Sequence, residues 1–203
     1  MGLEGVVLSG VEYGYRQLQH TARLVVESEG VSFESMHFPL GVQIQSGSLT
    51  MSKCTSTGRE IDVEPDGRLV MEDSRVFGTV AAAGMDERHG VRCSGAVKAT
   101  RCTVENNAAS GVCIDGARAS AELVECVICK NAWDSVHVSG DGKVMLRSGT
   151  ISENRRHGVG VWASGKVTVA KAEEGKPQTV ATDSLQRQQQ GRETHHGWGA
   201  RQP

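Results

Sequence analysis

The sequence predicts an all-β protein in which one chain winds as a parallel β-helix, three short strands to a coil and about six to seven coils. Three observations predict it. The pattern Gly-x-(Leu/Val)-x-(Leu/Met/Ala)-x-x-(Cys/Ser) returns along the chain, apolar and polar residues alternate inside each copy, and an asparagine recurs at one position of three successive copies. The copies begin at Gly47, Gly67, Gly95, Ala119, Gly142 and Gly165, so the steps are 20, 28, 24, 23 and 23 residues. A period of this size belongs to stacked units that cannot bury a core alone.

Within a copy the first strand is marked by Leu49/Met51, Leu69/Met71, Val97/Ala99, Ala121/Leu123, Val144/Leu146 and Val167/Val169. Strict alternation over so few residues is the signature of a half-buried strand. A second alternating pair follows at Ser74/Val76, Cys102/Val104, Cys126/Ile128 and Gly149/Ile151. A third closes the unit at Val42/Ile44, Ile61/Val63, Val91/Cys93, Val112/Ile114, Val136/Val138 and Val159/Val161. Three strands in such a span make a triangular coil, and successive coils can pair only in parallel, about 4.8 Å apart. Asn107, Asn131 and Asn154 fall just after the second strand, where stacked amides can form an Asn ladder. Aromatic residues make up only 4% of the chain and glycines number 25, which suits a narrow aliphatic interior with corners at positive φ. The leucine-rich repeat competes at this period, but its Leu-x-x-Leu-x-Leu signature and any helical spacing are missing.

Residues 41–172 carry the repeat. Residues 1–40 fit it less well and read as an irregular first coil or amino-terminal cap, with strands at Leu24-x-Val26 and Val31-x-Phe33. A frame that opens almost in mid-strand suggests a partial gene product, and uncapped ends would permit end-to-end association. Residues 173–203, rich in Gln, Arg and His, are expected to be a disordered polar tail.

The unit Cys102-Thr-Val104-x-x-Asn107-x-x-x-Gly111-Val112-x-Ile114, with its copies Cys126 to Val138 and Gly149 to Val161, resembles the right-handed β-helix repeat of the pectate-lyase-like superfamily. In particular it is similar to the carbohydrate-binding and sugar-hydrolase type repeats that also occur in F-box substrate adaptors. The resemblance spans about residues 40–170 and implies a right-handed coil. Because that superfamily hosts lyases, hydrolases, epimerases and binding modules, the likeness bears on fold far more than on function.

A net charge of -2 over 203 residues argues against a nucleic-acid partner. The amino terminus shows neither a signal-peptide pattern nor a myristoylation motif, and no stretch reaches transmembrane length, so a cytoplasmic or nuclear address without membrane association is expected. Four of the six cysteines, Cys54, Cys93, Cys102 and Cys126, take inward positions and read as small hydrophobes. Cys102 and Cys126 stack closely enough for a disulfide to be conceivable.

Candidate chemistry falls on the outward rows. His89, Ser110, Asp134 and His157 occupy equivalent corner positions before the third strand. A Ser/His/Asp triad fails on order, since Asp134 stands between Ser110 and His157 where the imidazole belongs. A His/Asp/His metal site is weakened by spacing, because its outer ligands lie three coils apart. The expectation for this corner is therefore a solvated one with an Asp134 to His157 hydrogen bond. A second row, Gln43, Asp62, Arg92, Cys113, His137 and Gly160, offers Arg92 and His137 to an acidic sugar or a phosphorylated peptide. A third, Lys53, Asp73, Arg101 and Glu125, alternates in sign and reads as a charge ladder that sets register. The one clear insertion, residues 77–89, should project from the His89 corner beside Trp133, which is either exposed and suited to a sugar ring or a partner protein or a corner residue partly buried by the loop.

Against the enzymes of the resembled superfamily the chain falls short. His89 and His157 follow arginine where the polygalacturonase-like pattern has Gly-His-Gly, and Asp62, Asp115, Asp134 and Asp141 sit in different registers rather than as a facing pair. No stacked acidic set matches the calcium site of pectate lyases. The prediction is a non-catalytic repeat module, without cofactor or metal, that binds a protein segment or a polysaccharide at the corner of His89, Ser110, Trp133, Asp134 and His157. The alternative is a carbohydrate-active enzyme, or a degenerate fragment of one, using His89, Asp134 or His157 as acid and base.

Overall fold

The computed structural model describes residues 7–9, 23–80, 88–170 and 185–187, which form strands, turns and bends with no helix. Every strand pairing is parallel. The first strands stack in register, Val31 on Leu49, Leu69, Val97, Ala121, Val144 and Val167 in turn. Third strands do the same, from Val42 through Ile61, Val91, Val112 and Val136 to Val159. Six complete coils start at Val31, and a seventh begins with the strand Lys166–Ala170. At some corners the chain bends inside a continuous strand instead of breaking it: Val42–Ser52 and Ile61–Glu72 join third to first, Ser120–Cys129 and Lys143–Ser152 first to second.

Leu24–Val26 and Val31–Glu34 pair in parallel with the next coil. Short strands at Val7–Ser9 and Leu185–Arg187 add in parallel to Val31–Glu34 and Val159–Val161. The remainder of 1–22 and of the predicted tail 173–203 lies outside the described residues.

Alternation sends one side chain in two to the axis, where Ile44, Leu49, Met51, Ile61, Leu69, Met71, Val91 and Ile114 are fully buried. Each such aliphatic side chain contributes about 1.5–3 kcal/mol by leaving water. Columns of like residues keep each layer the same width, so the coils stack closely.

The corner between first and second strands turns on one residue in the left-handed region. Lys53, Asp73, Arg101 and Glu125 all sit there, at φ of 53°, 49°, 52° and 54°. Their strain is offset because each amide still bonds the coil above, as in Lys53 N–H to Glu72 O (3.0 Å) and Arg101 N–H to Val124 O (2.9 Å). Side chains of this row pair unevenly: Arg101 clasps Asp73 at 2.8 Å and also Glu72, while Lys53 reaches Glu34 at 3.5 Å. Such exposed pairs set alignment more than stability.

Just past this corner Cys54, Ser74, Cys102 and Cys126 form an inward column, and all six cysteines are buried thiols rather than disulfides. A hydrogen bond shared with Cys126, and then burial, push the Cys102 thiol up.

Beyond the second strand the three asparagines bond to one another. Asn131 Oδ1 accepts from the Asn107 backbone N–H (3.2 Å) and from Asn107 Nδ2 (2.9 Å), and Asn154 Oδ1 accepts likewise from Asn131 (3.0 Å each). Thr79 takes the equivalent place one coil earlier, its N–H donating to Asn107 Oδ1 at 3.4 Å. This column needs small neighbours. A Cβ on Gly111 would stand 2.8 Å from Asn131 Nδ2, and one on Gly90 2.7 Å from Asn107 Nδ2.

Candidate functional site

The chain reaches the third strand through His89, Ser110, Asp134 and His157, which do occupy equivalent positions. Gly90 N–H donates to Ser110 O, Gly111 N–H to Asp134 O and Ser135 N–H to His157 O, each at 3.0 Å. The corner is not solvated, however. Ser110 is fully buried, Asp134 is 2% exposed and His89 7%. Residues entering a strand from a tight turn have no alternation to reveal their facing, and here three of the four are buried.

Asp134 is the centre of this buried group. Its Oδ1 accepts from the His157 backbone N–H (3.0 Å) and pairs with His157 Nδ1 (2.9 Å), as expected, while Oδ2 lies 3.3 Å from His137 Nδ1. Burial opposes the charge, yet the hydrogen bonds from His137 and His157 outweigh it and hold the carboxyl below its usual range. The two imidazoles are thus fixed from opposite sides by one ionised carboxylate. Trp162 packs on His137 with ring centroids 5.9 Å apart.

His89 is held differently. The Ser110 backbone N–H donates to its Nδ1 at 3.2 Å, which places the ring proton on Nε2. Burial first, then the nearby His137 and Arg92, push its pKa down to about 4. The Ser110 hydroxyl has no hydrogen-bond partner among the described residues, so the His89–Ser110 contact runs through the backbone and is no nucleophile–base pair.

The second row stacks as read from the sequence, Gln43 on Asp62, Arg92, Cys113, His137 and Gly160. The structure adds that this row and the corner border one cleft of about 270 Å³, lined by His89, Arg92, Cys113, Trp133 and His137 with Asp115 and Ser139. Arg92 is exposed and makes no ion pair among the described residues. Asp115 accepts from the Ser139 hydroxyl at 2.9 Å. Trp133 is half-buried rather than exposed: Arg156 lies 4.3 Å over its ring and His89 meets it edge-on at 6.3 Å. Residues 81–87 of the inserted segment lie outside the described residues, and its ends are tied by Thr79 Oγ1 donating to Arg88 O at 2.9 Å.

Several members of the site were not singled out from sequence. Asp115, Ser139 and Trp162 stand two residues beyond Cys113, His137 and Gly160, and the same alternation would have found them. Glu60 gave no such signal. It precedes a strand, yet its Oε2 accepts the His89 N–H at 3.3 Å, and burial followed by the neighbouring Asp62 pushes its carboxyl up. Among the described residues no group of three His, Cys, Asp or Glu side chains is arranged to hold a metal ion.

Residues 89–173 match the family described as right handed beta helix region. The protein is a right-handed parallel β-helix. No curated protein and no solved structure matches the chain. The family match concerns the β-helix alone and carries no pectate-lyase or F-box adaptor assignment. No helix among the described residues is long and apolar enough to cross a membrane.

Gly160 keeps the β-helix site open. A Cβ there would stand 2.7 Å from Asp134 Oδ2 and 3.3 Å from Trp162 Nε1, and the carboxylate is pinned on its other oxygen. Gly160→Ala is therefore expected to cost about 1–3 kcal/mol of folding stability by displacing Asp134 from His137. Urea unfolding of the two proteins measures it, and an unchanged midpoint would contradict the pinned geometry.

Proposed function

We propose that the protein is a non-catalytic β-helix module that binds a polysaccharide through an acidic sugar held in the cleft between the corner and the third strands. The observation that carries the reading is the convergence of the Arg92 guanidinium, without an ion pair among the described residues, the His89 Nε2–H and the Asp115 carboxylate beside a half-buried Trp133. An aromatic edge with donors and an acceptor around it matches the apolar and hydroxyl surfaces of a pyranose. The guanidinium supplies a planar partner for a sugar carboxylate. The cleft lies at the small end of ligand sites, so it suits one sugar unit of a longer chain.

The competing reading, a carbohydrate-active enzyme, draws support from one feature: His137 is backed by a buried carboxylate, as a general base would be. The binding reading is preferred because Asp134 is itself occupied by two imidazoles and Asp115 by Ser139, which leaves no pair of carboxyls poised across the cleft.

Calorimetric titration with oligogalacturonate, alongside a neutral oligosaccharide of equal length, tests the proposal. The acidic oligomer is expected to bind and the neutral one not, with Arg92→Ala weakening affinity about tenfold or more. Product release that Asp134→Ala abolishes would establish the enzyme instead. Unchanged binding in both Arg92→Ala and Trp133→Ala would remove this cleft from consideration.

A further inference from the structure

A separate groove lies on the sheet of first strands, with a volume of about 550 Å³. Its cations are Arg68, Lys98, Lys143, Arg147 and Lys166, against the single carboxylate of Glu122. On a chain of net charge -2 this is a local concentration of positive charge. Glu122 is already shared between Lys98 (3.6 Å) and Arg147 (3.3 Å). Arg68, Lys143 and Lys166 have no ion pair among the described residues.

These three stand in one row. Arg68 is the register partner of Ala96, Ala96 of Ser120, Ser120 of Lys143 and Lys143 of Lys166. Two small residues thus leave a notch between cations at either end. Three strand steps separate Arg68 from Lys143, about 14 Å. An extended peptide lying along the helix axis covers that distance in about four residues, and residues four apart project to the same side. Acidic residues at i and i+4 would meet Arg68 and the Lys143/Lys166 pair, and a small apolar side chain at i+2 would drop into the Ala96–Ser120 notch. Ala96 and Met145 give the floor its apolar character. No aromatic side chain lines the groove to receive a sugar ring, in contrast to the cleft of Trp133. We propose that this groove docks an extended acidic peptide segment of a partner protein, with carboxylates four residues apart and a small apolar residue between them.

Fluorescence anisotropy tests it with a labelled peptide bearing Glu at i and i+4 and Val at i+2, compared with a peptide of the same composition whose glutamates are adjacent. The spaced peptide is expected to bind more tightly and to weaken as salt is raised. Lys143→Glu with Lys166→Glu should weaken it about tenfold, as loss of two screened ion pairs. Ser120→Tyr, which fills the notch while leaving every cation in place, should also weaken it. Arg92→Ala, on another face of the coil, should leave it unchanged, so that failure here and failure of the sugar cleft are separately visible. Equal binding of the two peptides, indifference to the double charge reversal, or binding of a sulfated oligosaccharide in place of the peptide would each overturn the proposal.

Discussion

Replacing Asn131 by alanine is expected to lower the free energy of unfolding by about 3–5 kcal/mol. The side chain is fully buried and makes bonds on both sides: two arrive at Oδ1 from Asn107, and Nδ2 donates to Val104 O (3.3 Å) and Asn154 Oδ1 (3.0 Å). Truncation leaves the buried Asn107 backbone N–H and Asn107 Nδ2 without the oxygen that accepts from both. Each orphaned buried group costs about 1–3 kcal/mol. Asn154→Ala should cost less, because that residue is partly exposed and water can replace its bonds. Urea unfolding of both variants checks the order, and a loss below about 1 kcal/mol for Asn131→Ala would mean that water enters the column.

Acidification is expected to destabilise the fold in two steps. His89 is buried and neutral, with its pKa near 4 in the folded chain and near the ordinary 6.5 when unfolded. Between those values the unfolded chain takes up a proton that the folded one refuses, so stability is complete above about pH 6.5 and falls as pH drops toward 4. The loss approaches about 3 kcal/mol. Below pH 4 His89 contributes no further change. The Asp134 pKa is also held down, which in a carboxyl favours the charged form, so its contribution is intact above its ordinary value of 3.8 and is lost as pH falls through the folded value. Unfolding free energies measured from pH 7.5 to 3 should show the first step in the natural protein and not in His89→Asn, whose Oδ1 can take over the hydrogen bond from the Ser110 amide. The same slope in both proteins would assign the effect to other groups.

Much of this molecule could be read in one dimension. Parallel stacking at a fixed register turns position in a copy into position in space, so the row Gln43, Asp62, Arg92, Cys113, His137 and Gly160 is legible in the repeat and stacks in that order. Alternation told inward from outward along each strand, as at Leu69/Met71 and Ile61/Val63, all buried. The asparagine positions followed from the same register.

What sequence left open is confined to places where periodicity stops. Across the corner before the third strand, no rule of twos says whether Ser110 or Asp134 faces water, and both proved buried. The bond from Asp134 to His137 spans a turn and joins a corner residue to a strand residue in the same coil, a contact that row-by-row reading cannot see. Arg156 over Trp133 is a similar case, a long side chain folding back across neighbouring coils. The row of Arg68, Lys143 and Lys166 was present in the sequence, but its meaning depended on the small residues between them and on Glu122 being already shared by Lys98 and Arg147. Backbone pairing is a repeated short-range rule and survives in the order of residues; clefts are made by side chains converging from different rows and corners, and only the folded coil brings those together.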